Sequence, residues 1–363
     1  MKIRAHLESL PPYIPIEPFE VLSARIGRDP SQIVKLDANE NPYGPLPIVG
    51  EALGKLDFPH IYPDPESRTL RKSLAAFTGV DEEYLLAGAG ADELIDLLMR
   101  VLLEPGECIL SCPPTFGMYS FDSELNAACC IEVPRLADFS LNLEAIHEAV
   151  ETYRPKILIL ASPNNPDGSL LDAQVLNKLL SLPLLFVLDE AYIEFAGENL
   201  GASLSRIREV PARDNLIVLR TFSKWAGLAG LRIGYGAFPR WLMPTLWKSK
   251  QPYNVNVAAN VAAQISLEHA DELKKVVDRL KTERERLFKE LHDIPYLKPY
   301  STRSNFILCR VVAKDALQLK TELAAQHGIF IRYFNKTGLK DHIRISVGRS
   351  QDTDRLIKAL ETL

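Results

Sequence analysis

The stretch TFSKWAGLAGLRIGYG, Thr221 to Gly236, sets a lysine in a hydroxyl-rich turn, with an arginine eight positions later beyond a Gly/Ala-rich run. A lysine amine attacks a carbonyl only when unprotonated, and apolar walls or a neighbouring cation lower its pKa enough to free it. Lys224 therefore reads as an amine able to hold an aldehyde as a Schiff base, while Ser223 and Arg232 could give a phosphate a hydroxyl donor and a bidentate cation. An isolated Ser-Lys pair is more often a surface lysine beside a structural arginine. Other residues of suitable type elsewhere in the chain shift that balance.

Asp189 ends the apolar run LLFVLD, and a carboxylate in such a place is costly unless paired. A protonated ring nitrogen is a suitable partner, and keeping that nitrogen protonated makes a heterocyclic cofactor an electron sink for a carbanion at the substrate's α-carbon. Tyr192, three residues on, could donate to a phenolate oxygen, and Asn165 of SPNNPDG, held extended by Pro166, could make a second bond to it. In GAGADE, small residues free the backbone N–H groups of Ala91 and Asp92 at a helix start for a phosphate; Glu93 stands where a dinucleotide fingerprint needs glycine. Phe116, in CPPTFGMY, could stack on a planar ring. Taken singly, each has an ordinary structural role: an acid capping a turn, a packing tyrosine, an Asn-Pro turn, a core aromatic.

These residues must be carried by elements that bring them together. Segments 107–111, 157–162, 184–189 and 216–220 are short, apolar and branched, as parallel strands buried on both faces should be, and 91–103 has helical apolar spacing. The alternation predicts an α/β fold with a doubly wound, mainly parallel sheet. SPNNPDG, DEAY and TFSK fall at the ends of three of its strands, where open parallel sheets bind ligands. A long charged helix over 258–292, followed by the strand-like SNFILCRV, IFIRYF and HIRISVG around a helix at 314–327, marks a smaller α/β domain. The expected division is an N-terminal segment 1–50 packing on that domain or on a partner subunit, a large domain 51–257, and a linking helix with the small domain at 258–363.

At 363 residues a two-domain enzyme is the natural prior, and 47% hydrophobic with 25% charged residues is a globular composition without a membrane-length apolar run. A net charge of -5 gives no field for nucleic acid. Cys108, Cys112, Cys129, Cys130 and Cys309 are an odd number without zinc-site spacing, which predicts reduced thiols and no metal. Residues 1–20 lack a secretory apolar block. The expected compartment is cytoplasmic, or an organelle after removal of a transit peptide.

From LDANENPYG (Leu36 to Gly44) through IYPDP, GAGADE, CPPTFGMY, SPNNPDG, LDEAYIEF, the Lys224 segment and PYNVN to HIRISVG, the sequence resembles the fold-type I aminotransferases, and within them the histidinol-phosphate aminotransferase family. The resemblance implies pyridoxal 5'-phosphate as cofactor, with Lys224 holding it and shuttling a proton between the substrate α-carbon and the cofactor's C4′. It pairs Asp189 with the pyridine nitrogen, Asn165 and Tyr192 with the phenolate oxygen, and Phe116 with the ring. The phosphate falls to Ala91, Asp92, Ser223, Arg232 and, from the partner subunit, Tyr62, so the active unit is a homodimer with shared sites.

For a phosphorylated amino substrate and a 2-oxo acid, the resemblance implies Arg332 and Arg344, both on strand-like C-terminal segments. Both would meet the phosphate of histidinol phosphate, and Arg344 the carboxylate of glutamate or 2-oxoglutarate. Tyr13, Asn39, Tyr119 and Tyr253 are further substrate-pocket candidates. The family's usual Thr is replaced by Asp167 in NPDG; Asp can make the same side-chain-to-backbone bond. Threonine-phosphate decarboxylation and broad aromatic transamination share the scaffold and stand as alternatives. A cofactor-binding regulator would need a basic DNA-binding module, of which the sequence shows no sign.

Overall fold

Continuous aliphatic runs become buried strands in the computed structural model, which describes residues 2–8, 10–12 and 17–363. Among these residues the strands are, in chain order, β1 (Val34–Leu36), β2 (Leu85–Gly88), β3 (Cys108–Ser111), β4 (Cys129–Glu132), β5 (Ile157–Ala161), β6 (Leu185–Asp189), β7 (Leu216–Thr221), β8 (Gly234–Ala237), β9 (Leu297–Pro299), β10 (Phe306–Val311), β11 (Ile329–Tyr333) and β12 (His342–Ser346). Seven of them form a sheet in the order β2-β8-β7-β6-β5-β3-β4, parallel from β7 to β4, with β8 antiparallel to both of its neighbours. Alternation puts Ile157 and Ile159 into the core layer with helix Ala91–Leu102, and Leu158 and Leu160 into the layer on the other face. That is a doubly wound sheet, covered on both sides. Its chain order reverses between β3 and β5, which opens a crevice at their carboxyl ends.

The second sheet, β1-β11-β12-β10-β9, is antiparallel except for β1, which runs parallel to β11. Residues 34–36 from near the N-terminus thus join strands from the C-terminal third of the chain. Helix Ala316–Glu322, continued by a π-turn to His327, and helix Ser350–Thr362 accompany this sheet. Among the described residues no helix is long and apolar enough to cross a membrane.

Two expectations are corrected. The single helix over 258–292 is two, Val257–Glu268 and Ala270–His292, because His269 leaves helical geometry (φ -108°, ψ 32°) and pairs its Nδ1 with Glu272 Oε1 at 2.8 Å. The cysteines are not all thiols: Cys108 and Cys129 form a disulfide. Its cause is register, since the parallel pairing of β3 and β4 sets these two residues directly opposite each other with Cα atoms 4.5 Å apart. Cys112 and Cys309 are free and buried; Cys130 is free and half-buried.

Candidate active site

The crevice at the carboxyl ends of the parallel strands holds a cavity of about 370 Å³. β6 ends on Asp189, and the turn after β7 carries Ser223 and Lys224. Asn165 follows β5, Phe116 follows β3, and Ala91 and Asp92 open helix Ala91–Leu102. All of these line the cavity together with Tyr192 and Arg232. Of the cofactor candidates only Tyr62 stands outside it, 79% exposed and stacked on Tyr253 with ring centroids 4.6 Å apart.

Glycines shape the phosphate end. Gly90 (φ +86°) precedes the helix, and a Cβ there would lie 2.7 Å from Arg232 Nη2; a Cβ on Gly234 would lie 2.5 Å from Ala91 N. Without side chains at these points, β8, the helix N-terminus and the Arg232 guanidinium close on one another. Arg232 donates to Asp92 Oδ2 at 2.8 Å, and Ser223 pairs with Thr221 Oγ1 at 2.9 Å. Glu93 Oε2 accepts from Ala89 N and from Asn254, and so ties the loop down from behind. The helix N-terminus and the guanidinium together make an anion site.

At the other end Lys224 Nζ donates to Ala38 O at 3.0 Å. Burial, and then the Arg344 guanidinium, lower its pKa to about 8. Burial raises Asp189 to about 6, against hydrogen bonds from the Tyr119 hydroxyl (2.7 Å) and Ala191 N (3.0 Å). Among the described residues Asp189 has no cationic partner. Burial also raises the Tyr192 phenol, whose oxygen accepts from Asn39 Nδ2 at 3.0 Å. Arg344 reaches across from β12 to donate to Asn165 Oδ1 and, at 2.7 Å, to Asp37 O. Arg332 lies directly opposite Arg344 in the β11–β12 register. Two like charges side by side on one sheet face favour an anion between them.

The remaining substrate candidates are placed differently. Asn39 is 1% exposed and stands behind Tyr192, with Ser346 and Asn305 holding its own polar groups. Tyr119 is fully buried behind Asp189 instead of facing the cleft, because its short helix Met118–Leu125 turns the ring inward. Tyr253 is 43% exposed on the outside, against Tyr62, and Tyr13 lies outside the described residues. Asp167 is buried and accepts from Ser169 N at 2.9 Å, so it shapes its turn as a hydroxyl would. Glu40 also lines the cavity, and the Arg344–Asn165 bond joins its wall to β12; neither role is marked by a motif in the sequence. The alternation in HIRIS puts His342, Arg344 and Ser346 on one face, which locates Arg344 on its strand without naming its partner.

The aminotransferase class I and II family model matches residues 31–360. Histidinol-phosphate aminotransferase, chloroplastic, of Nicotiana tabacum is 57% identical over 360 residues, which is 99% of this chain and 86% of that protein. The solved structure of histidinol-phosphate aminotransferase from Sinorhizobium meliloti in complex with pyridoxal-5'-phosphate is similar with a TM-score of 0.89 at 28% identity, covering 99% of this chain and 98% of that one. L-threonine-O-3-phosphate decarboxylase from Porphyromonas gingivalis is similar with a TM-score of 0.80 at 26% identity, over 91% of this chain and 99% of that one. With a lysine, a carboxylate and an anion cradle meeting in one crevice, and with this likeness along the whole sequence, the chain belongs to the class I and II aminotransferases and, among them, to the histidinol-phosphate aminotransferase family.

Proposed function

We propose that the protein transfers the amino group of L-histidinol phosphate to 2-oxoglutarate, giving imidazole-acetol phosphate and glutamate in histidine biosynthesis, with pyridoxal phosphate as cofactor. One observation carries the reading: Lys224, half-buried and with its pKa lowered to about 8, shares a cleft with a buried carboxylate that has no cationic partner among the described residues. The donor set fits the cofactor at three points. The Gly90 and Gly234 cradle admits a phosphate, Asp189 matches a protonated ring nitrogen, and Phe116 offers an aromatic surface in the cleft.

When bound, pyridoxal phosphate supplies an aldehyde that links to amines and a protonated heterocycle that draws electrons from a breaking Cα–H bond. Lys224 would hold it covalently until the substrate's own amine displaces the lysine from the aldehyde carbon, and the freed Lys224 amine would then be placed to take the proton leaving the substrate's α-carbon. Asp189 keeps the ring nitrogen protonated, while Asn165 and Tyr192 bind the phenolate oxygen. Ala91 N, Asp92 N, Ser223 and Arg232 hold the phosphate, with the partner subunit's Tyr62 added. Arg332 and Arg344 bind the substrate phosphate, and Arg344 binds the carboxylate of the 2-oxo acid.

The active unit proposed is a homodimer. Phe58, Ile61, Tyr62 and Tyr253 leave large apolar groups on the surface around the Tyr62–Tyr253 stack, which a second copy would cover. The tobacco relative is chloroplastic, so the proposed compartment is cytoplasm or organelle. The experiment is a comparison of amino donors with 2-oxoglutarate: glutamate forms fastest from histidinol phosphate, and threonine phosphate releases no CO₂. Faster turnover of phenylalanine, or CO₂ from threonine phosphate, would reassign the substrate.

A further inference from the structure

Asp189 touches a residue that the proposed chemistry has not used. The Tyr119 hydroxyl donates to Asp189 Oδ2 at 2.7 Å, from a fully buried position behind the carboxylate. Burial and the neighbouring carboxylate push the phenol above its ordinary range, so it stays neutral and donates. The same ring meets Phe116 edge-to-face, with centroids 5.6 Å apart and planes at 83°. One side chain thus braces two of the groups that line the cleft, the carboxylate and the aromatic face, while lining none of it itself.

We propose that Tyr119 is a positioning residue that keeps Asp189 anionic and aimed at the pyridine nitrogen of bound cofactor, and thereby keeps the proton on that nitrogen. The proposal rests on the reading of Asp189 as the ring-nitrogen partner. In a dry site a proton shared by a carboxylate and a ring nitrogen resides on whichever binds it more strongly. O–H donation stabilises the carboxylate and lowers its proton affinity. Remove the hydroxyl and the proton passes to Asp189, leaving a neutral ring that draws electrons less well. Because Tyr119 does not reach the cleft, substrate binding is untouched.

The test uses holoenzyme loaded with pyridoxal phosphate labelled with ¹⁵N in the ring, read by the nitrogen's chemical shift alongside kcat and KM. Tyr119→Phe keeps the ring against Phe116 and should move the resonance toward the unprotonated range. It should lower kcat about tenfold or more, the loss expected for a hydrogen bond to a charged group, with the histidinol-phosphate KM unchanged. In an Asp189→Asn background the same substitution should add nothing. Replacing Tyr119 by 3-fluorotyrosine, a stronger donor of nearly the same shape, should move the resonance the opposite way and covers the case in which the phenylalanine variant folds poorly. If Asp189→Asn moves the resonance and neither Tyr119 change does, Tyr119 only packs and the proposal fails while the Asp189 reading stands. If Asp189→Asn leaves it unmoved, both fall. A raised KM with unchanged kcat would make Tyr119 a substrate contact and overturn the proposal.

Discussion

Lys224 can attack an aldehyde only as a free amine, and a pKa of about 8 leaves a sizeable fraction free near neutrality where an exposed lysine would have almost none. The sign is definite: below that value the ammonium dominates, so capture of pyridoxal phosphate by apoprotein should speed up as pH rises through about 8 and then level off. Stopped-flow capture rates between roughly pH 6 and 10 check this; a profile still climbing toward the ordinary lysine pKa would show that burial and Arg344 do not act on the amine. Arg344 and Arg332 make a second pair of residue-scale predictions. Arg344→Lys cannot hold Asn165 and Asp37 O with one fork, and should raise KM for histidinol phosphate and 2-oxoglutarate alike. Arg332→Ala should raise only the histidinol-phosphate KM, by about tenfold or more, as for a lost charge-assisted bond. Steady-state kinetics with each substrate varied separate the two. At this scale residue types were legible and pairings were not: Arg344 and Asn165 lie 179 positions apart, and no local pattern joins them.

Element geometry decides whether the phosphate end closes. A methyl on Gly234 would press on Ala91 N and Gly90 C at 2.5 and 2.7 Å, backbone atoms that cannot rotate away. Gly234→Ala should therefore part β8 from the helix N-terminus and weaken pyridoxal-phosphate binding about tenfold or more, at the 1–3 kcal/mol typical of such backbone strain; equilibrium dialysis of apoprotein measures it. The Cys108–Cys129 link closes a loop containing Phe116 and helix Met118–Leu125. Its reduction should cost up to about 3 kcal/mol by loop entropy, seen as a lower urea midpoint without a change in the Cys108→Ser variant on adding reductant. β3, β5, β6 and β7 were readable because central parallel strands bury both faces and stay apolar throughout. β8, GYGA, was not, since its glycines serve close backbone approach instead of side-chain packing, and half-buried β4 at the sheet edge has no such run. The disulfide was illegible for a related reason: it depends on strand register, which cysteine spacing does not encode.

At the scale of the whole molecule, two sheets from distant parts of the sequence meet over one cleft, with Arg344 bridging from β12 to Asn165 after β5. The α/β class and the second, smaller sheet were legible from alternation and from the change in pattern near residue 258. The joining of β1 to β11 was not, because a three-residue strand carries too little periodicity. If the partner's Tyr62 completes the phosphate site, Lys224→Ala and Tyr62→Ala chains, each impaired alone, should regain activity when unfolded and refolded together, because one site of the mixed dimer then has both residues. Activity no higher than the mean of the separate variants would leave each site within one chain. The claim on which all of this depends is a covalent bond at one amine. Borohydride reduction of cofactor-loaded protein, followed by peptide mass mapping, should place a stable pyridoxyl adduct on Lys224 and on no other lysine; an unmodified Lys224 in cofactor-saturated, reduced material would contradict it.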